Sequence, residues 1–412
     1  MRDLLEPLQG LTLFRFAHIF RSSSAGGVET YLMDLNRCLL ERNRMRILQM
    51  YLVHANVAAQ VDIEKIGRGE IIWIPSVWKN SEVRRVPIAR QVWAKLRKRP
   101  YVPQSEICHE ILLSALDRYR PGFAVFHWLS EDSKIVVNYL AKKQIPYVVV
   151  HHFQNDKLKK DLLRRQLSGA LAISGVSNVD VPDFVRNRFT NLSDGIDTDF
   201  FHPKKAVPID RKIEGHLILL PSRIDEGKGH LDVVRALGRL TRQGLAVTLV
   251  CAGRVENVHV MKKLKEAVVN ESMEGRVIFA GQLGAADLRN WYGSSDVVVF
   301  TSYSEGLGRV LLEAQAMQRP VVAYNVGGIS EAMQQGVGGC LVKKGAVEEL
   351  AKQIRDLLEN PHKRYEMGES GRKYVAERFS MESLVVRHER FYMDILKATG
   401  KAQSGTSDEN GR

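Results

Sequence analysis

Two carboxylates, Glu305 and Glu313, flank a glycine-bearing turn in the segment Ser302-Tyr303-Ser304-Glu305-Gly306-Leu307-Gly308-Arg309-Val310-Leu311-Leu312-Glu313-Ala314. An apolar run, Val297 to Phe300, leads into the turn, and a segment of helical period leaves it. Glycines at such a turn let backbone N–H groups approach a ligand, and a helix N-terminus attracts phosphate. A carboxylate beside a cleft accepts hydrogen bonds from the vicinal hydroxyls of a sugar. A second segment, Pro221-Ser222-Arg223-Ile224-Asp225-Glu226-Gly227-Lys228-Gly229-His230, follows the apolar run Leu217 to Leu220. Its Arg223 and Lys228 place two cations at a strand end, where they suit a diphosphate and its departure. Taken alone, each segment is ordinary, a capping loop or a pair of surface charges. Together they describe a site for an anionic, hydroxyl-rich ligand.

These loops need strands and helices to hold them. Leu13 to Phe20, Ile47 to Val53, Ala124 to His127 and Tyr147 to Val150 read as buried strands. So do Leu217 to Leu220, Val247 to Cys251, Val277 to Ala280, Val297 to Phe300 and Pro320 to Ala323. Helical periods fall between them, at Val28 to Leu40, His230 to Gln243, Val258 to Val269 and Arg309 to Met317. Strands alternating with helices predict parallel sheets covered on both faces, and the pattern occurs twice. A break at Phe201 to Gly215, with two prolines and a charged stretch, marks the linker. The fold class expected is α/β, two doubly wound Rossmann-like domains whose carboxyl strand ends line a cleft. A charged helix near Met381 to Leu396 follows.

Composition narrows the partners. The 412 residues carry 60 Lys and Arg against 47 Asp and Glu, a formal charge of +13. Residues 1–204 hold 30 basic and 21 acidic side chains, so most of the surplus lies in the first half and points to an anionic partner or surface there. Cys38, Cys108, Cys251 and Cys340 form no CxxC pair and read as reduced thiols of a cytosolic protein. No run reaches the roughly 20 apolar residues that cross a bilayer. Expected is a cytoplasmic protein, at most attached to the inner membrane face. Asp197-Thr198-Asp199 matches a DxD metal pair by letter, but no further carboxylates cluster with it, and the histidines show no HExxH spacing. No metal site is expected.

The order and spacing of these segments resemble glycosyltransferase family 4, nucleotide-sugar-dependent retaining enzymes of GT-B fold. The resemblance runs from Gly26 to about Phe391, and its most specific part is Glu305-x7-Glu313 within SYSEGLGRVLLEAQAMQRPVVA. It implies three parts. Residues 1–204 would be an acceptor-side domain and 205–378 a nucleotide-sugar-binding domain. Residues 379–396 would be a C-terminal helix packing back on the first domain; beyond the resemblance, 397–412 has almost no apolar residues and reads as a disordered tail. The resemblance also implies roles: Glu305 beside the donor sugar, Glu313 on the nucleotide ribose, Arg223 and Lys228 on the diphosphate. Gly306, Leu307 and Gly308 would line the donor loop, and Gly281 and Leu283 would lie by the nucleobase. In the first half, Gly26-Gly27-Val28-Glu29 resembles the family's glycine loop near the donor phosphates and acceptor. His151-His152 ends the strand before Phe153, where the family carries a single histidine that contacts the donor sugar, and spacing from Pro146 favours His152 over His151. The catalytic set is then His152, Glu305, Arg223 and Lys228, with no cofactor beyond the donor and no named base.

Two positions depart from the family pattern. Asp194 stands where most relatives have Asn, and would repel a phosphate if it faced the cleft; Arg309 stands where they have a small or aromatic residue. Glu82 to Pro100 reads as a basic amphipathic helix with Trp93, followed after His152 by Lys157, Lys159, Lys160, Arg164 and Arg165. Such a face suits an anionic bilayer or a lipid-linked acceptor. The expected activity is sugar transfer to a glycan or lipid-linked glycan of the cell envelope. A nucleotide-sugar epimerase or sugar phosphorylase on the same fold is the first rival. A basic nucleic-acid-binding protein is the second, weakened by the lack of reader modules and of aromatics interleaved with the cations.

Overall fold

The computed structural model describes residues 8–19, 27–53, 60–77, 104–127, 133–151, 167, 169–179, 181, 183–209, 213 and 215–400. The chain divides into two compact units. One comprises Met1–Gly175, Pro182–Thr190 and Val385–Arg412, the other Val176–Val181 and Asn191–Leu384.

The first unit holds an eight-stranded sheet of order β3-β4-β2-β1-β5-β6-β7-β8. Its strands are β1 (Thr12–Ile19), β2 (Arg46–Val53), β3 (Asp62–Ile66), β4 (Gly69–Val77), β5 (Phe123–Phe126), β6 (Tyr147–His151), β7 (Ala172–Gly175) and β8 (Phe189–Asn191). Helices α1 (Gly27–Arg42), α2 (Gln104–Tyr119) and α3 (Ser133–Lys142) connect them. The central strands β2, β1, β5 and β6 pair in parallel, as their unbroken apolar runs predict. The expectation of parallel pairing alone is corrected at β3 and β4, which form an antiparallel hairpin turning at Gly67-Arg68. A two-residue turn needs positive φ, and Gly67 supplies it at +55°. β3 is an exposed edge strand, and its charges (Asp62, Glu64, Lys65) discourage further pairing.

The second unit holds a six-stranded parallel sheet of order β11-β10-β9-β12-β13-β14. Its strands are β9 (His216–Leu220), β10 (Val247–Ala252), β11 (Val277–Gly281), β12 (Val297–Phe300), β13 (Val321–Tyr324) and β14 (Gly339–Val342). Helices α4 (His230–Arg242), α5 (Val258–Asn270), α6 (Ala285–Ser294), α7 (Arg309–Ala316), α8 (Ile329–Ala332), α9 (Val347–Glu359) and α10 (Pro361–Arg378) cover it. Period-two alternation sorts β9 into two cores. Ile218 and Leu220 pack with Val233, Leu237, Leu350 and Ile354 of α4 and α9. Leu217 and Leu219 pack with Trp291, Leu311 and Leu312 of α6 and α7. Strand order reverses between β9 and β12, and the crevice beyond the carboxyl ends of two such strands is where doubly wound sheets bind ligands.

The boundary differs from residue 204. Asn191 Nδ2 donates to Glu331 Oε2 at 2.9 Å, and Ser177 Oγ donates to Glu331 Oε1 at 3.0 Å. These bonds tie short stretches from before residue 204 into the second unit. The final helix, α11 (Met381–Ala398), runs two residues into the stretch expected to be a tail. Lys397 in its last turn complements the helix dipole there. From Val385 onward α11 belongs to the first unit, where Glu389 accepts from Asn43 Nδ2 at 2.9 Å and His388 Nε2 lies 3.0 Å from the Tyr31 hydroxyl. Gly26, His152, the basic stretches 82–100 and 157–165, and the end of the tail lie outside the described residues. Among the described residues no helix is long and apolar enough to cross a membrane.

Candidate functional site

The loop leaving β9 begins at Pro221 and tightens into a single turn, Glu226–Lys228. Asp225 starts that turn by accepting from the Glu226 N–H at 2.8 Å. Gly229 ends it at φ +68°, ψ 20°, and a Cβ there would sit 2.2 Å from the Thr301 carbonyl oxygen. Only glycine fits so close a crossing. Two bonds fasten this loop to the one leaving β12: Thr301 Oγ1 donates to the Lys228 carbonyl at 3.0 Å, and the Tyr303 N–H donates to the Gly227 carbonyl at 2.8 Å.

Across this junction the Lys228 ammonium is ion-paired with Glu305 Oε1. Ser302 Oγ donates to the same oxygen at 2.8 Å. The lysine and glutamate side chains keep 19% and 17% of their exposure, enough to meet a ligand and too little for water to screen them fully. Arg223 takes another partner, Glu256 Oε1 at 3.3 Å, which Arg254 also binds. The two guanidinium groups hold the Glu256 carboxyl below its usual range, the Arg254 hydrogen bond counting most. Both expected diphosphate cations therefore carry a carboxylate in the free protein.

Glu313 stands apart from this pair. Buried on α7, it accepts from the Tyr292 hydroxyl at 3.0 Å through Oε2, and Arg309 Nε lies 3.5 Å from its Oε1. Arg309 Nη1 also lies 3.5 Å from Asp194 Oδ1. The two departures from the family pattern thus meet each other. Asp194 is engaged by a guanidinium, and its Oδ1 also accepts from the Gly195 N–H at 2.7 Å. Burial raises the Glu313 carboxyl and Asp194 adds to this, while Arg309 and Tyr292 pull it down.

The remaining expected positions divide. Gly306 and Gly308 lie in the Glu305 loop, but the Leu307 side chain is buried in the core, which leaves only its backbone to a ligand. Gly281, at φ +69°, ends β11 beside a register shift, and Leu283 packs against the core two residues on. Gly27 opens α1 in the first unit. Asp197 Oδ1 accepts from the N–H groups of Asp199 and Phe200 at 3.0 and 2.7 Å, so the DxD-like pair is a turn cap. Among the described residues no group of three His, Cys, Asp or Glu is placed to hold a metal ion.

Sequence reasoning missed several supports. Gly327 and Gly328 lie under the loop: a Cβ on either would sit 1.9 Å from the Glu305 or Gly306 carbonyl oxygen. The paired glycines of Asn325-Val326-Gly327-Gly328 were the available signal. Asp232, buried on α4, accepts from the hydroxyls of Tyr303 and Tyr324 at 2.8 and 2.9 Å. That cluster, which braces the Glu305 loop, has no spacing signature, and neither does Tyr292.

Residues 204–374 match the family model of glycosyl transferases group 1. The likeness to that family lies within the second unit. The match of this glycosyltransferase family covers the six-stranded sheet and both loops just described. Among curated relatives, the lipopolysaccharide core biosynthesis mannosyltransferase LpcC of Rhizobium leguminosarum bv. viciae is 30% identical over 226 residues, 53% of this chain and 62% of that protein. The chain spans less than two thirds of the length of the first curated relatives it matches. Among solved structures, a glycosyltransferase from Rickettsia africae superposes with TM-score 0.69 at 19% identity, covering 94% of this chain and 99% of that one. Anabaena HepE in complex with UDP gives 0.66 at 18%, covering 93% and 100%. These likenesses show the fold, which is GT-B with two Rossmann-like domains.

Proposed function

We propose that this chain is a retaining glycosyltransferase that moves a sugar from a nucleoside-diphosphate sugar to a glycan or lipid-linked glycan of the cell envelope. The observation that carries the reading is the Lys228–Glu305 ion pair at the carboxyl ends of β9 and β12, on two loops fastened by one backbone bond and one bond from the Thr301 hydroxyl. A preformed cation beside a preformed hydroxyl acceptor suits a diphosphate joined to a sugar. The match of residues 204–374 to the glycosyl transferases group 1 model and the similarity to a lipopolysaccharide core mannosyltransferase support the same class.

The incoming diphosphate takes Arg223 from Glu256 and Lys228 from Glu305. Those two cations then neutralise the charge that grows on the leaving group, and no step is assigned to a metal. Glu305, still held by Ser302, is left to accept from hydroxyls of the donor sugar, with His152 as a further sugar contact. Glu313 receives the ribose, and the loop at Gly281 and Leu283 lies by the base. As the bond from the anomeric carbon to phosphate oxygen breaks, the acceptor oxygen bonds that carbon on the same face. The acceptor proton passes to the departing phosphate. The acceptor is assigned to the first unit, whose positive surplus suits an anionic or membrane-borne glycan.

A thermal-shift panel of UDP-, GDP- and ADP-sugars tests the reading. One nucleotide class should raise the melting temperature, and the shift should collapse in Lys228→Ala. A panel in which no nucleotide sugar stabilises the wild type refutes the reading.

A further inference from the structure

The Asp194–Arg309–Glu313 cluster joins the loop before Gly195 to the start of α7. One guanidinium spans two carboxylates, Nη1 to Asp194 Oδ1 and Nε to Glu313 Oε1, each at 3.5 Å. The three side chains keep only 10–14% of their exposure. Tyr292 of α6 fixes the other oxygen of Glu313 from the core side. A carboxylate beside a second carboxylate in a low-dielectric setting needs a cation between them, or one of the two takes up a proton. Arg309, in the first turn of α7, is that cation.

We propose that Arg309 is a positioning residue: anchored on Asp194, it holds the Glu313 carboxylate as the acceptor for the vicinal hydroxyls of a nucleotide ribose. This rests on the reading of the site as a nucleotide-sugar site. Arg309 fixes one oxygen and Tyr292 the other, so Glu313 is oriented before any ligand arrives and the ligand meets an ordered acceptor. A lysine cannot reproduce this, because a point charge does not fork to two carboxylates. The groups facing Glu313 are Arg309 on its own helix, Asp194 on the loop before Gly195, and Tyr292 on α6. Without Arg309, burial and Asp194 act on Glu313 with only Tyr292 opposing. The carboxyl then takes a proton at higher pH and accepts from one hydroxyl in place of two.

Calorimetric titration of UDP, GDP and ADP, each against its 2′,3′-dideoxy analogue, tests the proposal between pH 6 and 8.5. The wild type should prefer the ribonucleotide of its own base by ~10-fold or more, since a site built to bind hydroxyls rejects a ligand lacking them. Arg309→Met should bring that ratio near one, with ribonucleotide affinity weakening further as pH falls. Arg309→Met/Asp194→Asn should recover part of the ratio, because the second charge is gone. If Arg309→Met does not fold, Arg309→Lys carries the test with a reduced ratio. A wild-type ratio and pH profile in the Arg309 variants overturns the proposal while leaving the nucleotide-sugar reading intact. A wild type that binds no nucleoside diphosphate overturns both.

Discussion

Lys228 and Glu305 are 77 positions apart in the chain and share an ion pair within one site. The sheet makes them neighbours: β9 and β12 pair in parallel through Val297↔Ile218 and Val298↔Leu219, so the loops leaving both strands emerge side by side. The reversal of strand order in the middle of the sheet thus sets a charged pair at the carboxyl ends of its strands.

That pair should be energetically coupled. Lys228→Ala leaves Glu305 partly buried with Ser302 as its remaining neutral donor, and is expected to cost about 1–3 kcal/mol of stability. Glu305→Ala and the double variant complete the cycle, and urea unfolding should give a coupling energy of roughly 0.5–3 kcal/mol. Strict additivity of the two single effects would show that the contact contributes nothing.

Acid should destabilise the second unit through His230. The ring is 2% exposed at the start of α4, and burial, with Lys228 nearby, pushes its pKa down to about 4. Between the unfolded value near 6.5 and this folded value, the unfolded chain binds more protons, so stability is complete above the upper limit and falls as pH drops. The full loss is on the order of 3 kcal/mol from the size of that shift. Chemical denaturation at pH 7 and pH 4.5 should show the fall, and His230→Leu should flatten it. An equally steep fall in the variant would assign the acid sensitivity elsewhere.

Much of this was open to reading from residue types. Unbroken apolar runs such as Val297 to Phe300 marked strands buried on both faces, and the Glu305 and Arg223 loops followed them directly. The hairpin of β3 and β4 escaped because its turn is Gly-Arg in place of an Asn-Gly or Asp-Gly signal. The pairing of Arg309 with Asp194 escaped for a different reason. Each side chain read alone is a charge of uncertain direction, and only the folding of residues 193–197 against α7 makes the two a pair. Tyr292 and Asp232 were hidden likewise, since a buried hydrogen bond between distant segments leaves no periodicity.

Gly327 should tolerate no side chain. It combines φ +52° with a Cβ position 1.9 Å from the Glu305 carbonyl oxygen, whereas Gly244, at φ +85°, has nothing within 4 Å. Gly244→Ala should therefore cost only the left-handed conformation, about 1–2 kcal/mol. Gly327→Ala should cost more and also depress turnover, because the Glu305 loop must shift. Thermal melts and nucleotide release on both variants check this, and equal effects would deny the loop contact a role.

In the first unit, Glu389 is buried on α11 between Asn43 and Arg42, which lies 3.2 Å from Glu389 Oε1. Glu389→Ala should destabilise the unit by roughly 3–5 kcal/mol, since one partner of a buried polar cluster is removed. Hydrogen exchange should report the loosening in α1 and α11. A loss below 0.5 kcal/mol would place the helix on its apolar contacts alone.

Nucleotide release tests the central claim most directly. The wild type is incubated with UDP-, GDP- and ADP-sugars, with and without envelope glycan extract, and compared with Glu305→Gln and Lys228→Ala. The account predicts release from one nucleotide class, accelerated by the extract, with turnover lost in Glu305→Gln and donor affinity weakened in Lys228→Ala. No release from any of the three classes, with or without extract, would contradict it.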